Sequence, residues 1–258
     1  MIRVLRLVLP LSAVGLCMAQ SVRLRPGTNS VPVRGVPQAV YYYPGGAGSM
    51  ERPCVLFAPG DGGWRGFAIT LAKQVGAWGY DLYGMDTKGY LESFTGKTTL
   101  KETDVMTDLR ALAEAVRGKR RVALIGWSEG AGLMALAAAA PSKEAYTGMI
   151  TLGLGDKNVL GWRFFDNLTY LTGKEPNEPT FSALSYMPRI APLPLVMLQS
   201  TKDEYVGGEE AKRLFSAAVE PKRFVLVEAR NHRFEGAQPE FFRQLREALK
   251  WTTAGAKP

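Results

Sequence analysis

The chain has 258 residues, 46% of them hydrophobic and 22% charged. That is enough apolar mass for one large core, and the composition excludes a disordered, collagenous or coiled-coil protein. Lys and Arg exceed Asp and Glu by a net charge of +8. They are scattered, with no stripe interleaved with aromatic residues, so the charge argues for anionic surfaces and against nucleic acid as a partner.

The first residues read Met-Ile-Arg-Val-Leu-Arg, followed by an apolar stretch over 7–16 and Cys17-Met-Ala19. A basic start, a short apolar segment and a small residue before the cut are the marks of a secretory signal peptide over residues 1–19. The stretch is too short to span a bilayer and contains Pro10. The expected location is therefore periplasmic or secreted. Loss of residues 1–19 removes Arg3, Arg6 and Cys17, lowering the net charge from +8 to +6 and leaving Cys54, a buried strand residue by its apolar neighbours.

Apolar runs rich in β-branched and aromatic residues follow at 39–43, 54–58, 80–85, 121–127, 148–154, 193–199 and 223–228. They are short and lack strict alternation, which suits strands covered on both faces. Helical patterns lie between them at 64–78, 100–116, 129–140, 209–218 and 239–251. Strand and helix alternate without a linker or repeat, which predicts an α/β fold: one domain over 20–258, built on a mostly parallel central sheet flanked by helices. Residues 156–192 break the rhythm. They hold Trp162, Phe164, Phe165, Tyr170, Phe181, Tyr186 and four prolines, and read as a cap-like insertion or lid over the site the sheet presents.

The sharpest chemical signal is Gly126-Trp127-Ser128-Glu129-Gly130. It follows an apolar strand and opens an Ala-rich helix, the context in which G-x-S-x-G presents a nucleophilic serine on a tight turn. A serine hydroxyl needs a base, and the chain has one histidine, His232, in the loop after the last predicted strand. The base needs an acid to orient it, and Asp203 stands in the turn after the strand at 193–199, with Glu204 beside it as the alternative. The order Ser128, Asp203, His232 is that of the α/β-hydrolases. Oxyanion donors are expected from the amide of Glu129 and, in the loop Pro59-Gly-Asp-Gly-Gly-Trp64, from the amide of Asp61, with Gly62 second. Gly96-Lys97-Thr98 ends like a phosphate-binding loop, but Leu91 stands where its first glycine belongs. One histidine and no cysteine pair leave zinc without its usual ligands, so neither metal nor cofactor is expected.

Three segments carry a family resemblance: Gly60-Asp-Gly-Gly-Trp64, Gly84-Met-Asp-Thr-Lys-Gly-Tyr90 and Ile125-Gly-Trp-Ser-Glu-Gly-Ala131. Together they resemble the bacterial virulence protein domain of VirJ and AcvB, of the α/β-hydrolase superfamily. The resemblance implies an exported serine hydrolase acting on aminoacyl esters of phosphatidylglycerol, such as lysyl-phosphatidylglycerol. Gly62, Trp64, Asp86 and Trp127, which stand in these segments, are the expected substrate-binding residues. Asp61, Asp86 and Glu129 are expected at the mouth of the site, where carboxylates would pair with ammonium groups. The basic mature chain would approach an anionic leaflet peripherally. The alternative is a binding or secretion-accessory protein that keeps the fold without turnover.

Overall fold

The computed structural model describes residues 24–96, 98–168, 172 and 176–254. The expected signal peptide, Lys97 and Tyr170 lie outside the described residues. The strands in chain order are β1 (Gly27–Val33), β2 (Val36–Tyr43), β3 (Cys54–Ala58), β4 (Leu82–Met85), β5 (Val122–Trp127), β6 (Tyr146–Leu152), β7 (Lys157–Val159), β8 (Thr180–Ser182), β9 (Leu195–Ser200) and β10 (Lys222–Val227). Eight of them form one sheet in the order β1-β2-β4-β3-β5-β6-β9-β10. From β4 to β10 all neighbours run parallel, whereas β1 pairs antiparallel with β2 and β2 with β4.

The expected strands are present; β7 and β8 are additions, and so is β1. Its sequence, Gly-Thr-Asn-Ser-Val-Pro-Val, is rich in turn formers. At the sheet edge Pro32 costs no interior ladder bond. The hairpin closes at Arg34 and Gly35, both with left-handed φ (48° and 77°), the two-residue turn whose twist matches the strands.

Helices α1 (Phe67–Ala77), α2 (Thr87–Phe94), α3 (Glu102–Arg117), α4 (Glu129–Ala139), α5 (Gly208–Ala217) and α6 (Gln238–Thr253) cover both faces of the sheet. The central strands alternate between two cores. Leu56 and Leu124 face the core built with α2, α3 and α4, while Phe57 and Ile125 face the core built with α1 and α6. Because both faces are covered, β3, β5, β6 and β9 are buried throughout, and no alternation shows in their sequences. Cys54 is fully buried and burial pushes its thiol up to about 12, so it is inert packing. Among the described residues no helix is long and apolar enough to cross a membrane.

The segment after β6 is the expected insertion. β7 and β8 form a small antiparallel pair, and Val159, Leu160, Trp162, Phe181, Met187 and Ile190 join the α4 side of the core. Asp156 ties the segment together, accepting from Ser182 Oγ (2.6 Å) and from the amide of Leu184 (3.0 Å) and pairing with Arg213 of α5 (2.8 Å).

A buried ion pair fixes the start of the sheet. Arg120 Nη1 lies 2.7 Å from Asp81 Oδ2, and their side chains are 6% and 1% exposed. The amide of Gly45 donates to the other carboxylate oxygen at 2.8 Å. Removing one member strands the other charge in the interior. Arg120→Ala is expected to destabilise the protein by about 3–5 kcal/mol, read as a fall in the urea midpoint.

Candidate active site

The site lies where the C-terminal ends of β3, β5, β9 and β10 meet. β5 runs into Ser128, whose backbone sits at φ 55° and ψ −127°, and α4 starts at the next residue. The turn is possible only because its flanks lack side chains. A Cβ on Gly126 would fall 2.4 Å from Ala131 Cα, and one on Gly130 would fall 2.2 Å from the carbonyl oxygens of Ala58 and Pro59. The serine amide donates to Leu152 O of β6 at 3.0 Å, which ties the elbow to the next strand.

The glycine loop after β3 passes directly over the serine. A Cβ on Gly60 would lie 3.0 Å from Ser128 Cβ, and the loop is pinned from below by Thr87 Oγ1, which donates to Pro59 O at 2.6 Å. Among the described residues, the amides of Asp61 and Glu129 have no acceptor, as two donors reserved for an oxyanion would require.

His232 is buried, 3% exposed. Its Nδ1 donates to Asp203 Oδ2 at 2.7 Å. Burial pushes the Asp203 carboxyl up, but the hydrogen bond and charge of His232 and the amides of Val206 and Tyr205 outweigh it, and the net direction is down. Asp203 is therefore a carboxylate, and the Nδ1–H tautomer leaves Nε2 as an acceptor. That Nε2 is buried and has no partner; no hydrogen bond joins it to Ser128 Oγ, as is common before substrate arrives.

Three supporting contacts carried no sequence signal. Gln199 Nε2 donates to Asp203 Oδ2 at 3.0 Å. Glu204 does not face the imidazole; it accepts from the backbone amide of His232 at 2.7 Å and so holds the histidine loop. Gly153, at φ 60°, leaves room for the ring, since a Cβ there would fall 2.5 Å from His232 Cε1.

Ser128, His232, Asp61, Gly62 and Trp127 line one cavity of about 760 Å³, with Phe67 and Phe242 on its apolar wall and Tyr205 edge-on to the imidazole. Two expected substrate-binding residues lie elsewhere. Trp64 turns away and stacks on Tyr41 at 4.5 Å, over Gly84, where a Cβ would fall 1.9 Å from its ring. Asp86 caps α2, accepting from the amide of Gly89 at 3.0 Å. The expected carboxylate mouth is reduced accordingly. Asp61 reaches the cavity, whereas the Glu129 carboxyl accepts from the amide of Val159 in β7 at 2.7 Å. Among the described residues none from 156–192 lines the cavity; Trp162 and Phe181 are buried in the core, whereas Phe165 is exposed. No group of three or more His, Cys, Asp or Glu is placed to hold a metal among the described residues.

The family model for the bacterial virulence protein (VirJ) matches residues 53–162, as the sequence resemblance anticipates. No curated protein matches the chain in sequence. Among solved structures, the α/β hydrolase GrgF from Penicillium sp. sh18 has a TM-score of 0.65 at 14% identity, covering 90% of this chain and 100% of its own. The esterase domain of a Rhodothermus marinus protein has a TM-score of 0.61 at 18% identity, covering 90% and 100%. A membrane phospholipase A, described as a novel bacterial virulence factor, has a TM-score of 0.63 at 18% identity, covering 88% and 86%. The chain has the α/β-hydrolase fold.

Although part of Glu129 reaches the surface, burial of its carboxyl and the nearby Asp61 charge outweigh the Val159 amide and push it up to about 8. The folded state thus keeps a proton that the unfolded chain gives up near the ordinary carboxylate value, and stability falls as pH rises between the two. Glu129→Gln, which retains an acceptor for Val159, is expected to raise the urea midpoint over wild type increasingly from pH 5 to pH 9.

Proposed function

We propose that this protein is an exported serine hydrolase of carboxylic esters. The observation that carries the reading is His232, fixed at Nδ1 by an ionised Asp203, with its unpartnered Nε2 in the same cavity as Ser128. In the reaction, Nε2 takes the Ser128 proton as Oγ attacks the acyl carbonyl. The amides of Asp61 and Glu129 hold the developing oxyanion, and the imidazolium returns its proton to the leaving alcohol. Water, deprotonated by the same nitrogen, then releases the acyl group. Asp203 keeps its charge throughout and stabilises the imidazolium. Each step uses groups on the chain itself, without a cofactor.

For substrate we infer an aminoacyl ester of phosphatidylglycerol, such as the lysyl lipid. The VirJ match over residues 53–162 supports it, as do the esterase and membrane phospholipase among the structural neighbours. The N-terminal segment would direct export, and the basic mature chain would favour peripheral contact with an anionic leaflet.

The test is labelling of residues 20–258 with a fluorophosphonate probe, alongside release of amino acid from lysyl-phosphatidylglycerol vesicles. Wild type is expected to label and to hydrolyse. Ser128→Ala and His232→Ala should lose labelling, and Asp203→Asn should cut kcat by about 10⁴-fold through the wrong tautomer. A folded wild type that neither labels nor hydrolyses overturns the reading in favour of a non-catalytic binding protein.

A further inference from the structure

Beside the proposed nucleophile and base, the residues lining the cavity include two exposed arginines, Arg65 and Arg233. Arg65 precedes α1, and its Nη2 and Nε lie 3.3 and 3.5 Å from the point a Cβ on Gly62 would occupy. Its head group therefore folds back over the glycine loop that carries the Asp61 amide. Arg233 directly follows the histidine, and its own amide donates to Asn231 Oδ1 at 3.0 Å, which fixes the backbone from which its side chain extends.

Among the described residues neither guanidinium has an anionic partner or a hydrogen-bond acceptor. Some arginines elsewhere in the chain are matched to carboxylates: Arg34 with Asp108, Arg120 with Asp81, Arg213 with Asp156 and Arg243 with Glu240. Two carboxylates, Asp61 and Glu235, line the same cavity, yet neither forms an ion pair with Arg65 or Arg233. Both thus line a cavity with partly apolar walls while retaining their full donor capacity. A guanidinium fork matches the two oxygens of a carboxylate or a phosphodiester.

We propose that Arg65 and Arg233 form an anion subsite, which holds a carboxylate or phosphodiester group carried by the ester next to its scissile bond. The scissile bond in this statement rests on the hydrolase reading of the same cavity; the anion site itself does not. The pair would then select esters by charge while Ser128 and His232 act on the carbonyl.

Two measurements test it. In the first, purified Ser128→Ala protein is titrated calorimetrically with glycerol 3-phosphate, monomethyl succinate and glycerol. At least one anion is expected to bind about tenfold or more tighter than glycerol, and which one binds tells a phosphodiester-type from a carboxylate-type ligand. Adding Arg65→Gln and Arg233→Gln should abolish that preference, whereas adding Arg110→Gln and Arg246→Gln, with the same net charge, should leave it. In the second, wild type is compared on mono-p-nitrophenyl adipate and p-nitrophenyl hexanoate, which share acyl length. The anionic ester should have the higher kcat/KM, and the ratio should fall about tenfold in the Arg65→Gln, Arg233→Gln variant, mainly through KM. Anion binding without turnover of either ester keeps the subsite and discards the hydrolase reading. Turnover of both esters at equal kcat/KM, with no anion bound, overturns the subsite and keeps the hydrolase reading.

Discussion

The structure around the site depends on one close approach: three backbones meet at the end of β5 with no side chain between them. The serine turn, the loop after β3 and the first turn of α4 come within contact distance at Gly126, Gly130 and Gly60. A methyl group at Gly126 or Gly130 would overlap backbone atoms that cannot retreat, because β3 and β5 are paired in register and buried on both faces. The left-handed serine costs on the order of 1–3 kcal/mol. The strain holds because the sheet and an almost wholly buried helix determine the backbone from both sides.

Asp203 and His232 are set on the sheet in a similar way, by neighbouring backbone and side chains as well as by their own contact. Asp203 is turned by the amides of Tyr205 and Val206 and by Gln199, and Glu204 grips the histidine loop from the same turn. Two adjacent acidic residues therefore divide the work: one meets the imidazole, the other fixes the chain that carries it. The unpartnered Nε2 is a buried acceptor left unsatisfied, which costs stability and leaves a group able to take a proton.

Much of this was legible in the residues. β3 falls where its apolar run predicts, and α4 begins at Glu129 as the elbow motif requires. Asp203 pairs with His232, and His232 shares a cavity with Ser128, although their sequence separations say nothing of distance, because strand order and chain order together put their loops at the C-terminal ends of the strands. What was illegible is local and steric. α2 is short, contains Gly89 and follows β4 directly, so its signal is that of a turn. Trp64 sits beside the glycine loop in sequence, yet Gly84 opens a slot for its ring on the other side of β4. The division of roles between Asp203 and Glu204 turns on one residue of phase, and the burial of the Glu129 carboxyl depends on β7, a strand too short to announce itself.

The position of the insertion has a consequence for size. Its Trp162 and Phe181 are spent on the α4 side of the core, and the cavity rim is formed by exposed residues such as Arg65, Tyr205, Arg233 and Gln238. A molecule far larger than the cavity can thus insert one end and leave its bulk outside. Among the described residues no roof has to lift before such an end can enter, so the fit is judged at that end and not along the whole length of the molecule.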